Sequence, residues 1–293
     1  MFIKSVLFYL VLIGIATYLS LFERKLIGRI QLRYGPRYCG LYGLLQPIAD
    51  GLKLFFKQNA LSGHSSASIF ACALLLFASL LQFAFLPLGW VTLLPSSYGL
   101  LYVIVIHALI NFAEILIGIT SNSKYGIIGG IRGVYQKMGA DLPFILTLLI
   151  LYITNNSFDL FYIANHRTFV SWCIIPILFI TTLMNTNHIP FDFIEAESDL
   201  VAGAYTEYGG ILFGIIYLSD YLNVLFNTIL MSTLVLPIGW VVLGVVILIS
   251  TIILVRAILP RCLQFQMIKL SWQFFVPIVA ITTCLCLFNN FLN

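Results

Sequence analysis

Long apolar runs separated by short polar stretches dominate the sequence. Eight runs are long enough to cross the bilayer's hydrocarbon core, about 30 Å thick, which needs about 20 residues of helix. They lack the alternation of apolar and polar residues that membrane barrels show. The pattern therefore predicts an all-α polytopic membrane protein with about eight transmembrane helices. We place these spans at residues 2–22, 67–94, 98–120, 138–156, 169–187, 208–231, 235–256 and 271–291.

One amphipathic stretch lies in the loop between the first two runs. Its apolar residues recur at helical spacing and fill a stripe roughly 120° wide, from which only Leu54 departs. The pattern predicts a helix at about 41–58 that lies in the membrane interface. An ordinary packing helix is the alternative, and the two are compatible. The stripe consists of Leu41, Leu44, Leu45, Ile48, Leu52, Phe55 and Phe56.

Composition excludes a soluble fold and several kinds of site. Hydrophobic residues make up 61% and charged residues 9%, against about 25% charged in an average soluble domain. The six cysteines form no CxxC pair, which argues against a zinc or iron–sulfur site made by this chain alone. The glycines at 126, 129 and 130 lack the Lys-Ser/Thr of a nucleotide-binding loop. We expect neither a metal nor a nucleic acid as a ligand.

The basic residues are concentrated on one side of the membrane. The loops after spans 1, 3 and 7, with the first turn of span 4, hold 13 of the 15 lysines and arginines. The positive-inside rule places these loops in the cytoplasm or its organellar equivalent. The residues are Arg24, Lys25, Arg29, Arg33, Arg37, Lys53, Lys57, Lys124, Arg132, Lys137, Arg256, Arg261 and Lys269.

The loop between spans 5 and 6 is acidic instead. Residues 188–207 include Asp192, Glu195, Glu197, Asp199 and Glu207, without any lysine or arginine. These carboxylates would repel one another and need cations from the basic loops. A solvated loop is one interpretation. Because the stretch 190–194 is strongly apolar, we favour a loop folded back into the protein, where it forms an acidic, hydrated cavity.

Three further acids fall at membrane depth: Glu114, Asp141 and Asp220. A charge facing lipid costs several kcal/mol, so each should face the protein interior or be protonated. Together with the acidic loop, they favour a path for protons or cations. His107 on the third span is more typical of a packing histidine than of a ligand. A transporter and a subunit of a larger machine both fit these observations.

Two stretches carry a resemblance to a known family. Residues 23–36 (ERKLIGRIQLRYGP) run into residues 40–54 (GLYGLLQPIADGLKL), and the second stretch is residues 187–203 (NHIPFDFIEAESDLVAG) followed by Glu207. Both resemble subunit 1 of NADH dehydrogenase, the respiratory complex I. Weaker matches at 121–125 and 259–261 follow in family order, so the resemblance spans the chain.

The resemblance implies a core subunit joining the membrane and hydrophilic arms of the complex. Ubiquinone would enter between the first span, the interfacial helix and the sixth span, as a substrate at a site that two hydrophilic-arm subunits complete. Flavin and iron–sulfur clusters would belong to partner subunits only, and this chain alone would hold no complete catalytic site. An anionic lipid such as cardiolipin is a further candidate partner. The expected location is the mitochondrial inner membrane with basic loops on the matrix side, or a bacterial plasma membrane.

The resemblance also assigns roles to individual residues. The quinone tunnel and docking loop would comprise Glu23, Arg24, Arg29, Arg33, Asp50, Lys53, Phe55 and Phe56. The charged axis that couples quinone reduction to proton translocation would comprise Asp141, Asp192, Glu195, Glu197, Asp199, Glu207, Asp220, Arg256 and Arg261.

Some positions depart from the family pattern. Asn185 and His188 stand where the family has Glu and Arg, and Leu263 and Phe265 stand where it has Arg and Asp. Glu114 matches no acid of the family pattern. Two other functions stay open at this point: the membrane subunit of a related hydrogenase-type complex, and a stand-alone proton or cation transporter. The sequence shows no internal repeat, which argues against the transporter.

Overall fold

The computed structural model describes residues 2–58, 65–87, 94, 96–194 and 201–292. All regular structure within these ranges is helical, because a helix satisfies its backbone polar groups within its own segment, as hydrocarbon demands. The α-helices are α1 (Phe2–Ile30), α2 (Gln46–Phe56), α3 (Ser65–Leu81), α4 (Gly99–Thr120), α5 (Lys124–Asn155), α6 (Leu160–Asn165), α7 (Phe169–Asn185), α8 (Gly210–Val235), α9 (Val241–Ile258), α10 (Gln264–Leu270) and α11 (Val276–Leu292). Short 3₁₀ segments lie at Leu41–Gly43, Gln82–Phe85, Gly203–Tyr205 and Ile238–Trp240, and a π-helical turn at Ser271–Phe275 joins α10 to α11.

The predicted class of an all-α polytopic membrane protein is confirmed. Within the described ranges, seven helical segments are long and apolar enough to cross a membrane. The predicted fifth span corresponds to α7, whose 17 residues give a length of about 26 Å. The count of eight spans therefore stays a prediction. The seven segments are Lys4–Ile30, Ser66–Phe85, Gly99–Thr120, Lys124–Asn155, Gly210–Val235, Val241–Ile258 and Gln264–Phe288.

Helix α5 differs most from its predicted span, since it begins at Lys124 rather than at residue 138. The glycines of this stretch are contact points between elements rather than turn residues. A Cβ atom at Gly118 of α4 would lie 2.6 Å from the Cα of Gly130, and one at Gly129 would lie 2.6 Å from the backbone nitrogen of Ala204. Small residues of this kind allow membrane helices to approach closely. Lys137, which was counted with the basic loops, is consequently inside a helix and buried.

Helix α1 also continues past its predicted span, to Ile30, so that Glu23, Arg24 and Arg29 are helical. The chain then folds back against the end of the helix. A Cβ atom at Gly35 would lie 3.0 Å from the Cα of Lys25, whose Nζ donates to the carbonyl of Tyr42 at 2.6 Å. The segment that follows α1 therefore packs against its last turns.

The predicted interfacial helix is shorter than residues 41–58, because α2 begins only at Gln46. A 3₁₀ turn precedes it, in which Gly43 has a φ of +77° and a Cβ atom would lie 2.3 Å from the carbonyl oxygen of Pro36. All seven residues of the apolar stripe are exposed in the isolated chain, as a surface resting in lipid would be. The interfacial position stays a prediction.

Helices α5 and α8 occupy the middle of the bundle. Helix α8 packs against α1, α2, α3, α7 and α9, and α5 packs against α4, α7 and α11. The most deeply buried aromatic contact joins Phe83 to Phe226 of α8, with ring centroids 5.7 Å apart in an edge-to-face arrangement. The polar residues of the site lie next to these two central helices.

Candidate functional site

A cavity of about 670 Å³ lies between α1, α2, α8 and the segment that follows α7. Its apolar wall includes Ala16, Ile27 and Leu218. Leu54, the residue that departs from the apolar stripe of α2, points inward: its Cδ1 lies 3.3 Å from where Gly214 of α8 would carry a Cβ atom. The polar wall is formed by Thr17, Ser20, Glu23, Arg24, Asp50, Asn187, His188, Asp192, Asp220, Tyr221 and Arg256, among others. The cavity is therefore amphipathic.

A buried carboxylate organises the inner wall of this cavity. Glu23 of α1 is only 5% exposed and accepts a hydrogen bond from the Tyr221 hydroxyl of α8 at 2.8 Å. It also accepts a charge-assisted hydrogen bond from Arg256 at the end of α9. One carboxylate thus joins three helices, with a cation to balance its charge. The sequence predicted Arg256 as a partner for the acidic loop, and the structure places it on Glu23.

His188 lies beside this cluster and faces the cavity. Burial lowers the pKa of its imidazole to about 4, because the low-dielectric surroundings disfavour the charged ring. Glu23 acts in the opposite direction and Arg256 in the same direction as burial. The cavity is therefore lined by a neutral imidazole at physiological pH.

An ion pair holds α2 against α1 at the cavity mouth. Arg24 Nη1 donates to Asp50 Oδ2 at 2.7 Å, and the Gln46 side chain donates to the other oxygen of Asp50 at 2.8 Å. Both charged side chains are more than a third exposed, so the pair contributes little to stability. The pair instead fixes the orientation of α2 relative to α1.

The described part of the acidic loop, residues 188–194, folds into the protein. Asp192 is buried and accepts a hydrogen bond from Arg261 Nη2 at 3.0 Å. The carbonyl oxygen of Pro190 accepts from the backbone nitrogen of Cys262 at 3.0 Å, and Phe191 is buried beside it. Glu195, Glu197 and Asp199 lie outside the described residues. Glu207 is partly buried, and Asp220 lines the cavity.

A second buried ion pair lies between α4 and α5. The Nζ of Lys137 lies 3.0 Å from Oε2 of Glu114, and each side chain is only 3% exposed. Lys137 also donates to the backbone carbonyl of Asn185, and the Asn187 amide donates to Glu114 at 3.2 Å. Sequence reasoning missed this pair because Lys137 was counted in a loop and Glu114 matched no family acid.

Asp141 occupies the next turn of α5. Its carboxylate accepts two hydrogen bonds of 2.8 Å from Asn111 Nδ2, and its Oδ1 lies 3.2 Å from Nε2 of His107. The His107 ring packs on Phe144 with centroids 4.6 Å apart. The histidine is therefore a packing residue with a carboxylate partner.

Four of the predicted site residues lie on the surface rather than in the cavity wall. Arg29, Arg33, Lys53 and Phe56 are exposed, and none of the four lines the cavity. Arg33 donates to its neighbour Gln31 at 2.7 Å. Phe55, in contrast, does line the cavity. Across the residues that the structure describes, there is no cluster of histidine, cysteine and acidic residues able to hold a metal ion.

Comparison with known proteins gives one consistent result. A family model described as NADH dehydrogenase matches residues 3–287. The NADH-ubiquinone oxidoreductase chain 1 of Cyanidium caldarium is 34% identical, over 95% of this chain and 88% of the relative. An NADH-quinone oxidoreductase subunit of Paramagnetospirillum magneticum is 36% identical, over 91% and 84%. The NADH-ubiquinone oxidoreductase chain 1 of Lampetra fluviatilis is 36% identical, over 93% and 90%.

Proposed function

Because the chain belongs to the NADH dehydrogenase family, as a membrane subunit of complex I, we propose that its cavity is the passage by which quinone enters from the bilayer. The family assignment confirms the resemblance found in the sequence, and it makes the chain a multi-pass subunit of an enzyme complex. The observation that carries the proposal is the amphipathic cavity between α1, α2 and α8.

The chemistry of the cavity suits a quinone. A quinone combines a long apolar tail with a ring that accepts hydrogen bonds through two carbonyl oxygens. Apolar side chains such as Ile27 and Leu54 form a wall for the tail, while Arg24, His188 and Arg256 offer polar groups to the ring. A volume of about 670 Å³ is within the range of roughly 300–1,000 Å³ that small-molecule sites occupy. The relatives are named as quinone or ubiquinone oxidoreductases, which supports the same ligand.

The buried charges support the proposal that the charged axis begins at the cavity. Two ion pairs border the cavity, Glu23 with Arg256 and Asp192 with Arg261. A change in the charge of a bound quinone would act on both carboxylates through a low-dielectric medium, where such interactions are strong. The remaining members of the proposed axis are Asp141, Glu195, Glu197, Asp199, Glu207 and Asp220.

The exposed basic residues suit contact with other subunits. Arg29 and Arg33 are exposed and follow Arg24 of the cavity wall along the chain, and Lys53 is exposed on α2. We assign this face to the hydrophilic arm, whose subunits would hold the flavin and the iron–sulfur clusters, and to anionic lipid at its rim. On this assignment the face would lie on the matrix side, or on the cytoplasmic side of a bacterial membrane.

Two glycines provide a matched test of the passage. Gly51 lines the cavity and Gly14 does not, yet a Cβ atom at either position would meet nothing within 4 Å. Gly51→Phe should therefore obstruct the cavity without disturbing the packing, and Gly14→Phe is its control. In the purified complex, we expect Gly51→Phe to lower NADH–quinone activity severalfold while electron transfer from NADH to an artificial acceptor is unchanged. Equal quinone activity in the two variants would refute the passage.

A further inference from the structure

A ladder of polar residues runs along the interface between α4 and α5. His107, Asn111 and Glu114 recur at spacings of four and three, so they lie on one face of α4. On α5, Lys137 and Asp141 are four residues apart and face them, through the contacts described above. His107 and Glu114 are seven positions apart, which corresponds to about 10 Å along the helix axis. The ladder therefore extends well into the bundle.

The ion pair at one end of the ladder has unsatisfied polar neighbours. Asn185 and Gln136 are both buried, and the two amide atoms of Asn185 and Oε1 of Gln136 lack a hydrogen-bond partner among the described residues. The same holds for Oδ1 of Asn111, whose amide nitrogen donates to Asp141. Buried polar atoms in proteins are normally satisfied by another protein group or by ordered water. Ordered water is therefore the expected partner of these four atoms, on three residues next to the ion pair and the ladder.

Asn187 connects the ion pair to the cavity. It lines the cavity wall, and its amide nitrogen donates to Glu114 Oε2 at 3.2 Å. Its amide oxygen accepts from Gln136 Nε2, also at 3.2 Å. At the other end of the ladder, the side chain of Asp141 is 28% exposed on the surface of the isolated chain. The ladder thus joins the cavity to a second accessible surface.

We propose that Glu114 and Lys137 form a proton-exchange pair between the cavity and Asp141. A hydronium ion on the cavity side gives a proton to a carboxylate oxygen of Glu114 and becomes water, which neutralises the charge that holds Lys137 as an ammonium. Lys137 Nζ then releases a proton through water to the carboxylate of Asp141, one helical turn away. The neutral pair regains its charges when Glu114 passes its proton to the lysine amine, so one proton enters and one leaves in each cycle. The inference rests on the proposed function, in which a change in the charge of a quinone bound in the cavity drives the exchange.

A neutral double variant separates proton exchange from a purely structural role. Glu114→Gln with Lys137→Gln keeps amide groups for hydrogen bonding, leaves no unpaired buried charge and cannot exchange protons. In the complex reconstituted in liposomes, we expect the rate of proton translocation coupled to quinone reduction to fall by about 100-fold or more. Electron transfer from NADH to an artificial acceptor should be unchanged. Full coupled translocation would overturn the proposal.

A matched control is the buried neutral pair of Gln82 and Asn223, which are joined by a hydrogen bond of 2.9 Å and lie outside the ladder. Gln82→Leu with Asn223→Leu should leave translocation at the wild-type level, and an equal loss in this control would also overturn the proposal. If the double glutamine variant does not assemble, Glu114→Asp provides a second measurement. Its infrared difference spectrum between oxidised and reduced complex should show an altered carboxyl band, and an unaltered band would refute exchange at Glu114. Failure of the quinone passage would be recognised separately, because Gly51→Phe and Gly14→Phe would then have equal quinone activity.

Discussion

The fully buried ion pair of Glu114 and Lys137 makes a strong prediction about stability. Lys137→Met keeps the length and apolar volume of the side chain but removes its charge. Glu114 then keeps the Asn187 amide as a hydrogen-bond donor but has no cation beside it. Because its side chain is only 3% exposed, water cannot replace the lysine. The carbonyl oxygen of Asn185 loses its lysine donor as well.

The magnitude follows from the burial of the pair. Removing one partner of a buried ion pair costs about 3–5 kcal/mol, because the remaining charge is desolvated without compensation. The lower figure already corresponds to about 150-fold in a folding equilibrium. Adding Glu114→Gln to Lys137→Met removes the stranded charge and should recover most of the loss, so the two substitutions should be strongly non-additive.

Thermal unfolding of the purified complex, followed by differential scanning calorimetry, measures this effect independently of quinone activity. We expect Lys137→Met to lower the midpoint by about 6–10 °C, because about 2 °C is lost per kcal/mol. Lys4→Met makes the same chemical change at an exposed position of α1 and should shift the midpoint by less than about 1 °C. If Lys137→Met behaves like Lys4→Met, or if Glu114→Gln fails to rescue it, the pair does not carry opposite charges in the folded protein.

Two further predictions concern the cavity wall. Tyr221→Phe removes the hydroxyl that donates to Glu23 at 2.8 Å, a hydrogen bond to a charged group that contributes about 1.5–3 kcal/mol. The variant should therefore lower kcat/KM for quinone about tenfold, whereas the same change at the exposed Tyr102 should have no effect. For His188, whose pKa is lowered from 6.5 to about 4, the unfolded chain binds the additional proton between these two pH values. Stability is therefore lost as pH falls from 6.5 toward 4, by at most about 1.4 kcal/mol per pH unit. His188→Asn should show a shallower acid-side decline in thermal midpoint over that window, and an unchanged slope would mean that the imidazole is already charged in the folded protein.

The amino-acid sequence by itself determined the class of the fold and the approximate place of the cavity. Hydrocarbon forces each spanning segment to satisfy its own backbone, so apolar runs such as 98–120 predict α4 almost to the residue. The motif around Glu23 and Asp50 led to the prediction of a site between the first span, the amphipathic helix and the sixth span. The cavity between α1, α2 and α8 lies there.

The glycine-rich and amphipathic patterns were less informative about packing, because a glycine can mark either a loop or a close helix contact, and a residue off an apolar stripe can face either water or the protein. Residues 121–137 were predicted to lie outside the spans, but Gly129 and Gly130 in this stretch give α5 the small surface that the segment around Ala204 and α4 require. Leu54 was the one residue that departed from the stripe of α2, and it is the residue that packs toward α8. A residue that departs from a lipid-facing stripe is free to face the protein.

Only the tertiary structure decided which charges meet. Arg256 and Glu23 are 233 residues apart along the chain. Glu114 and Lys137 lie on α4 and α5, and the sequence misjudged where α5 begins. Pairing depends on the rotation and depth of each helix in the bundle, and these are fixed by close packing against several neighbours at once. Hydropathy along the chain places a charge at a given depth in the membrane, but the packing of the helices determines whether a partner stands opposite.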